Sequence, residues 1–369
     1  MGPGSRRLLS LDVFRGITIV GMILVNSPGN DTAYLPLDHA PWHGLTPTDL
    51  VFPFFVFIVG ISLVFSLSRR LQEGADRSAL AVQVFKRALI IFALGLLLNG
   101  FPYYHLDTIR IPGVLQRIAI CYFFGALFFL WTNISIQIGS ITIILFGYWW
   151  LMTHLQVPGF AIGDLTKEGN LAAYLDRTVF GAHMYRPVYD PEGILSTLPA
   201  IATGLLGNLA GYWLRSPGAP ERKATGCIQA GTVFLLGGWK WGQYFPVNKA
   251  LWTSSYVLIT AGWALVLFGI CYGVIEILGW KKWSKPFEVF GVNAIAAYFL
   301  HVFFLKVQNL WHLPRLDGTA GNIRLFITEH LFSPHMSPKN ASLAYASCYT
   351  LLWLAVFWTL YRKRIFIKI

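Results

Sequence analysis

Two histidines and two carboxylates crowd into the segment Asp38-His39-Ala40-Pro41-Trp42-His43-Gly44-Leu45-Thr46-Pro47-Thr48-Asp49, directly ahead of an apolar run that opens at Leu50. An imidazole at the edge of such a run loses part of its hydration, which favours the neutral ring that a general base needs. Asp49 can cap the helix that follows, and it can orient a histidine by accepting the ring's second proton. A helix cap beside interfacial polar residues explains the same pattern, so the spacing alone leaves both readings open.

Other polar residues sit where apolar surroundings make them costly. Asp12 and Arg15 are three apart, hence on one helix face, where they can form an orienting ion pair or hold an anion. In Arg110-Ile111-Pro112-Gly113-Val114-Leu115-Gln116-Arg117, Pro112 suits a helix's first turn. Arg117 lies too deep to face lipid, so it should point to an acid, an anion or a water-filled cavity. Tyr189-Asp190-Pro191-Glu192-Gly193 places two carboxylates at the head of an apolar run, where capping and catalysis explain them equally. Asn293 and His301 fall on nearby faces of one helix, facing a shared interior cavity or making interhelical hydrogen bonds.

The elements that carry these groups follow from composition. The 369 residues are 55% hydrophobic and 12% charged, about half the charge of an ordinary soluble domain. Spans of roughly 20 apolar residues recur along the whole chain, near 14–25, 50–67, 88–101, 111–131, 134–154, 193–214, 224–243, 251–278, 286–308 and 341–361. The expected fold is an all-α polytopic membrane protein of about ten transmembrane helices, forming a single integral domain over 1–369. The pattern shows no pair of broken spans of the kind that marks a secondary transporter.

The net charge of +12 is gathered in short clusters between the runs, such as Arg6-Arg7, Arg69-Arg70, Lys86-Arg87, Lys281-Lys282 and Arg362-Lys363-Arg364, with Lys368 beyond. That pattern sets orientation in a membrane and argues against a nucleic-acid partner. It places both termini in the cytoplasm. The longer opposite loops carry Asp38, Asp190, Glu192, Asp317 and most histidines. Cys121, Cys227, Cys271 and Cys348 fall in apolar runs without metal-type spacing, as packing residues, so no metal site is indicated.

Several motifs occur together in one order: Leu11-Asp12-Val13-Phe14-Arg15-Gly16, His39-Ala40-Pro41-Trp42-His43-Gly44-Leu45-Thr46 with Asp49-Leu50-Val51-Phe52-Pro53, and Arg110 to Arg117. Asp190-Pro191-Glu192-Gly193 and Pro246-Val247-Asn248-Lys249-Ala250-Leu251-Trp252 continue them. In this the chain resembles the heparan-alpha-glucosaminide N-acetyltransferase family, in a compact form without a large luminal amino-terminal domain. The resemblance implies a transmembrane acyltransferase-like bundle that moves acetyl from cytosolic acetyl-CoA to the amine of a terminal glucosamine across the membrane. The family's active histidine falls on His39, its asparagine on Asn26 and its aspartate on Asp49. Pro41 stands where animal members carry a serine, and Asp38 where a basic residue can stand, which bears on the acceptor.

On that reading Arg15, Lys86, Arg87 and Arg117 hold the phosphates of acetyl-CoA. His43, Glu192, Asn293 and His301 contact the acceptor, and Asn26 or Asn293 donates to the developing oxyanion. The expected partners are the amino sugar and membrane lipids, with a homodimer allowed. The compact form suits a bacterial inner membrane with the catalytic loop in the periplasm. An O-acetyltransferase of envelope glycans and a transporter of sugars or lipid-linked sugars are the alternatives.

Overall fold

The computed structural model describes residues 8–315 and 319–367; Arg6, Arg7, Asp317 and Lys368 of the charge pattern lie outside them. The apolar runs form helices α1 (Leu9–Asn26), α2 (Val51–Gln72), α3 (Arg77–Gly100), α4 (Val114–Trp131), α5 (Ile134–His154), α6 (Leu171–Phe180) and α7 (Ile194–Arg215). They continue in α8 (Pro220–Trp241), α9 (Ser254–Tyr272), α10 (Lys285–Gly291), α11 (Ala294–Gln308), α12 (Ile323–Ile327) and α13 (Pro338–Arg362). Among the described residues the sheet is a single hairpin, β1 (His312–Pro314) against β2 (Ala320–Asn322), antiparallel with Leu313 opposite Gly321.

Side-chain caps start several helices by satisfying amides that have no partner in the first turn. Asp76 accepts from Ala79 N at 2.8 Å ahead of α3, Asn133 from Ile136 N ahead of α5, and Asn170 from Ala173 N ahead of α6. The Asp76 cap lets α3 begin at Arg77, well before the expected start at Ala88, so Lys86 and Arg87 lie inside a helix.

Among the described residues eight helices are long and apolar enough to cross a membrane, and a ninth is made if the bent pair 282–291 and 294–308 counts as one. Two of the ten expected spans account for the difference. α8 is helical over most of the expected 224–243, but its lower apolar content, with Glu221, Arg222, Lys223 and Lys240, takes it below the threshold. The run 286–308 is bent by 71°, because Asn293 leaves helical backbone at φ −121°, ψ 35°. The expectation concerned an inverted pair of broken spans, and this is a single bent one among the described residues.

The contacts divide the chain into two compact units. The first contains Pro41–Leu45 and Phe52–Gly279, so it holds nearly all of α2 and then α3 to α9. Here α2 and α7 meet backbone to backbone: a Cβ on Gly60 would lie 2.1 Å from the Gly204 carbonyl oxygen. Close approach of this kind lets membrane helices associate by packing, where lipid supplies no hydrophobic drive. Leu63, Leu67, Leu80, Val84, Ala126 and Leu130 fill one core of the unit, and Tyr148, Met152, Phe245 and Leu251 belong to another.

The second unit contains Leu9–Ala40, Thr46–Val51 and Trp280–Ile369, with α1 and α10 to α13. α1 and α10 cross as tightly: a Cβ on Gly16 would lie 1.7 Å from the Phe287 carbonyl oxygen. The chain leaving α1 is then pinned. Gly29 N donates to Ser342 Oγ at 3.1 Å, Arg324 Nη1 to Pro28 O at 3.1 Å and Thr328 Oγ1 to Gly29 O at 3.0 Å.

These crossings make a paired prediction. Gly16→Ala should lower stability by about 1–3 kcal/mol through overpacking, whereas Gly139→Ala in α5, where an added Cβ meets nothing within 4 Å, should be neutral or gain up to about 1 kcal/mol. Thermal unfolding of the detergent-purified variants, followed by size-exclusion chromatography, distinguishes them; equal behaviour would contradict the close crossing.

Candidate functional site

In the second unit the turn Pro47–Leu50 leads into α2 and presents Asp49, 1% exposed. His39 Nδ1 lies 2.6 Å from Asp49 Oδ1, and the ring is half exposed, at 49%. The second carboxylate oxygen accepts from Ala40 N, Thr46 N and Thr46 Oγ1, each at 3.1 Å. Thr46 Oγ1 also lies 2.6 Å from Asp38 O, and Asp38 Oδ1 accepts from His39 N at 2.8 Å. A charged acceptor so surrounded fixes both the loop and the ring. With Nδ1–H donating to the carboxylate, Nε2 carries the lone pair. Thr46 was not singled out as a functional residue, although the Thr-x-x-Asp spacing is that of a capping box. Asn26, the last residue of α1, belongs to the same unit and is exposed.

His43 belongs to the first unit, apart from His39. Asn248 Nδ2 donates to its Nδ1 at 3.3 Å, while Asn248 Oδ1 accepts from Leu251 N at 2.9 Å and so fixes which way the amide points. Burial lowers the His43 pKa, which keeps the ring neutral with its acceptor nitrogen toward Asn248. Trp42 Nε1 donates to Leu165 O at 2.9 Å, and its ring meets Tyr189 edge-on at 5.1 Å.

The carboxylates at the head of α7 have cationic partners far away in sequence. Arg110 Nε and Nη2 reach Asp190 at 2.9 and 2.6 Å, Nη2 also pairs with Glu192, and the guanidinium stacks on Tyr185 at 4.7 Å. Burial by itself would lower the Arg110 pKa, but the hydrogen bonds it donates to Asp190 and the charges of Glu192 and Asp190 raise it, so the cation is secure. Glu192, expected to contact the acceptor, is engaged by Arg110.

Arg117, 1% exposed, differs. Its Nη2 donates to Ser196 Oγ at 2.5 Å and Gly193 O at 3.2 Å, and its guanidinium lies 5.0 Å over Trp252. Nε and Nη1 are buried without a hydrogen-bond partner. Nε carries one N–H and Nη1 two, so three N–H donors of a buried cation are left without an acceptor.

The remaining expected residues are dispersed. Arg15 Nη1 is 3.1 Å from both Asp12 Oδ1 and Gly291 O, so the same-face ion pair forms and also ties α1 to α10. Lys86 and Arg87 are exposed on α3, with Arg87 5.2 Å over Tyr122. Asn99 Nδ2 donates to Arg110 O and Pro112 O, which sets the start of α4 beside the end of α3. Arg117 is consequently roughly 15 Å along the helix axes from Lys86, and these cations form no single cluster.

Asn293 is a correction. Its amide pairs with the last described segment, Nδ2 donating to Ile365 O at 3.3 Å and Oδ1 accepting from Ile367 N at 2.9 Å. It follows Gly291, which packs on Asp12 near the start of α1, whereas His39 follows that helix's end, roughly 20 Å away. Asn293 thus stands at the wrong end for the oxyanion or an acceptor at His39. His301 is fully buried, with Nδ1 3.0 Å from Ala297 O and Nε2 unpartnered. Cys121, Cys227 and Cys271 are buried as expected of packing residues, but Cys348 is exposed on α13.

A family model described as "Heparan-alpha-glucosaminide N-acetyltransferase, catalytic" matches residues 7–177. The protein named heparan-alpha-glucosaminide N-acetyltransferase from Homo sapiens is 32% identical, over 98% of this chain and 60% of its own length. Its Mus musculus counterpart is 30% identical over 99% and 61%. The chain therefore spans about three fifths of the length of these curated relatives. The family that the motifs resemble is the one to which the chain is similar. The matched segment holds Arg15, Asn26, His39, His43, Asp49, Lys86, Arg87 and Arg117, and ends before Glu192, Asn293 and His301.

One buried acid near these groups should report on pH. Asp176, 1% exposed, caps α7 by accepting from Ile194 N at 2.9 Å. Burial chiefly, with Asp190, raises its pKa from 3.8 to about 6, against the pull of the Ile194 N–H and the charges of Arg117 and Arg177. The folded state holds this proton more tightly than the unfolded chain does. Its contribution to stability is therefore full below about pH 4 and lost as pH rises through about 6. Asp176→Asn keeps the acceptor for Ile194 N and removes the titration, so its melting temperature should gain on that of the unmodified protein between pH 4 and 6. Parallel melting curves across that interval would refute the assignment.

Proposed function

We propose that this chain, similar over almost its whole length to heparan-alpha-glucosaminide N-acetyltransferases, is a membrane-embedded acetyltransferase using His39 as general base. It moves acetyl from cytosolic acetyl-CoA to the amine of a glucosamine-type sugar at the opposite face. The observation that carries the reading is the 2.6 Å contact of His39 Nδ1 with the buried Asp49 carboxylate, on a loop held by Asp49's other oxygen.

Acetyl-CoA supplies the acyl group as a thioester. His39 Nε2 takes a proton from the acceptor amine as its nitrogen bonds to the acyl carbon; the carbon–sulfur bond breaks, and the imidazolium returns the proton to the departing thiolate. Asp49 stabilises the imidazolium and keeps the ring in one tautomer. Asn26, exposed at the end of α1, is the residue suited to donate to the oxyanion. The unengaged N–H groups of Arg117 fit an oxygen of the donor, with Lys86 and Arg87 free on the surface of α3 for its phosphates. Arg15, bonded to Asp12 and Gly291, is a further cation assigned to a phosphate on this reading. His43 and His301 remain acceptor contacts on this reading. Both termini lie in the cytoplasm and the His39 loop in the periplasm of a bacterial inner membrane.

Purified protein given labelled acetyl-CoA should acetylate glucosamine, and neither N-acetylglucosamine nor a sugar bearing only alcohols. Acetylation of the alcohol-only sugar would instead make it an O-acetyltransferase. His39→Ala should lower turnover by about 10²–10⁴-fold, and Asp49→Asn should lower it through the wrong tautomer while binding of substrate persists. Turnover unchanged in His39→Ala sinks the assignment of the base. Without acceptor, direct transfer leaves no acetyl group on the protein, and recovery of an acetyl-histidine would replace it with a relay.

A further inference from the structure

Asn26 has no side-chain bond of its own to hold it. It is the last residue of α1, it is exposed, and among the described residues its amide makes no hydrogen bond. Its place is therefore set by the backbone on either side, α1 before it and residues 27–31 after it, all in the second unit. α1 rises beside the Asp49 turn, since a Cβ on Gly21 would lie 3.7 Å from Val51 Cγ2. Asn26 stands five residues further on, roughly 7.5 Å along the axis, at the end that leads to His39.

Past Asn26 the helix stops, because Pro28 has no amide N–H to give and disfavours helical backbone at Ser27. Two residues 296 and 299 positions away catch the chain that leaves it. Arg324 Nη1 donates to Pro28 O at 3.1 Å, with Nη2 3.8 Å from Asp31 Oδ1, and Thr328 Oγ1 donates to Gly29 O at 3.0 Å. A Cβ on Gly29 would lie 2.7 Å from Thr328 Oγ1 and 2.8 Å from Tyr345 Cβ, so the turn is gripped by volume as well as by bonds.

The grip is itself anchored. α12, which carries Arg324, is capped by Asn322, whose Oδ1 accepts from Leu325 N at 3.0 Å. Glu329, beside the fully buried Thr328, accepts from Arg315 Nε and Nη2 at 2.8 and 2.6 Å, which ties the turn back to the hairpin. A charged donor holds a carbonyl more firmly than a neutral one. Further along, Thr48 Oγ1 donates to Pro36 O at 3.0 Å. The Arg324–Thr328 clamp and the Asp49 turn are thus two fixed points of one loop, with Asn26 at its start and His39 at its end.

We propose that Arg324 and Thr328 are positioning residues of the transferase: by fixing the Pro28 and Gly29 carbonyls they set the Asn26 amide where it donates to the oxyanion formed at His39. The inference rests on the transferase reading above and adds to it two residues outside the segment 7–177 that the family model matches. An oxyanion donor works by being in place before the charge develops. A loosened Asn26 should therefore lose rate and leave substrate binding intact.

Steady-state kinetics of the purified full-length protein with acetyl-CoA and glucosamine test it, in a double-mutant cycle with Asn26→Ala. Arg324→Gln should lower kcat about tenfold and leave both KM values within about twofold. Arg324→Lys, which keeps a charged donor for Pro28, should restore most of the rate. Thr328→Val, close to threonine in volume, should lower kcat about threefold in the same manner, and it carries the cycle if the glutamine variant does not fold. In the Asn26→Ala background neither change should cost more than about twofold, because no amide is left to place. A loss of equal size in both backgrounds overturns the proposal and leaves the clamp a role in stability alone. A kcat unmoved by both changes overturns it too, as does a raised KM with kcat kept, which makes Arg324 a ligand contact. Full activity in Asn26→Ala overturns it together with the oxyanion role, while His39 keeps its place as base. Absence of transfer by the unmodified protein overturns both readings.

Discussion

A carboxylate almost wholly withdrawn from water at the head of an apolar helix must have its charge met on the spot, because an unpaired buried charge costs several kcal/mol. Asp49 is that group, and His39, Ala40 and Thr46 are what meet it. The bonds that satisfy the charge are the bonds that shape the loop and fix the ring's tautomer. The geometry of the His39–Asp49 pair and the folding of the entry to α2 are therefore one arrangement, and any change that frees the carboxylate disturbs both.

The same requirement recurs where other charges leave water. Arg110 gathers Asp190 and Glu192, and Arg15 is matched by Asp12 and a carbonyl. Arg117 is the departure: it has two hydrogen-bonded neighbours and an aromatic face, yet keeps two buried nitrogens, Nε and Nη1, whose N–H groups meet no acceptor. A membrane protein retains such a group at a cost in stability, and intramembrane ionisable residues of this kind commonly serve a ligand. Steric economy completes the scaffold, since the glycine crossings of α1 with α10 and α2 with α7 leave no room for a Cβ.

Much of the His39 site was legible in the sequence because its parts are close along the chain. His39 and Asp49 are ten residues apart, Thr46 stands at the capping distance from Asp49, and Asp12 and Arg15 share a face by helical period alone. The other partners were not legible for the opposite reason. Arg110 and Asp190 are 80 residues apart, and His43 and Asn248 are 205 apart; no local periodicity relates them. Asn293 misled because an amide in an apolar run looks equally ready for a ligand or for backbone, and here Ile365 and Ile367 occupy it.

Composition and periodicity by themselves determined that the chain is helical, apolar enough to cross a membrane many times, and equipped with a His–Asp pair at the start of a span. Those properties depend on residue type and on neighbours within a few turns. Only the tertiary structure decided that one span bends by 71°, that α8 stands apart from the apolar set, that the two histidines of one loop belong to different units, and which buried charges are paired. Each of these depends on which distant backbone or side chain arrives to satisfy a polar group, and that is settled by packing.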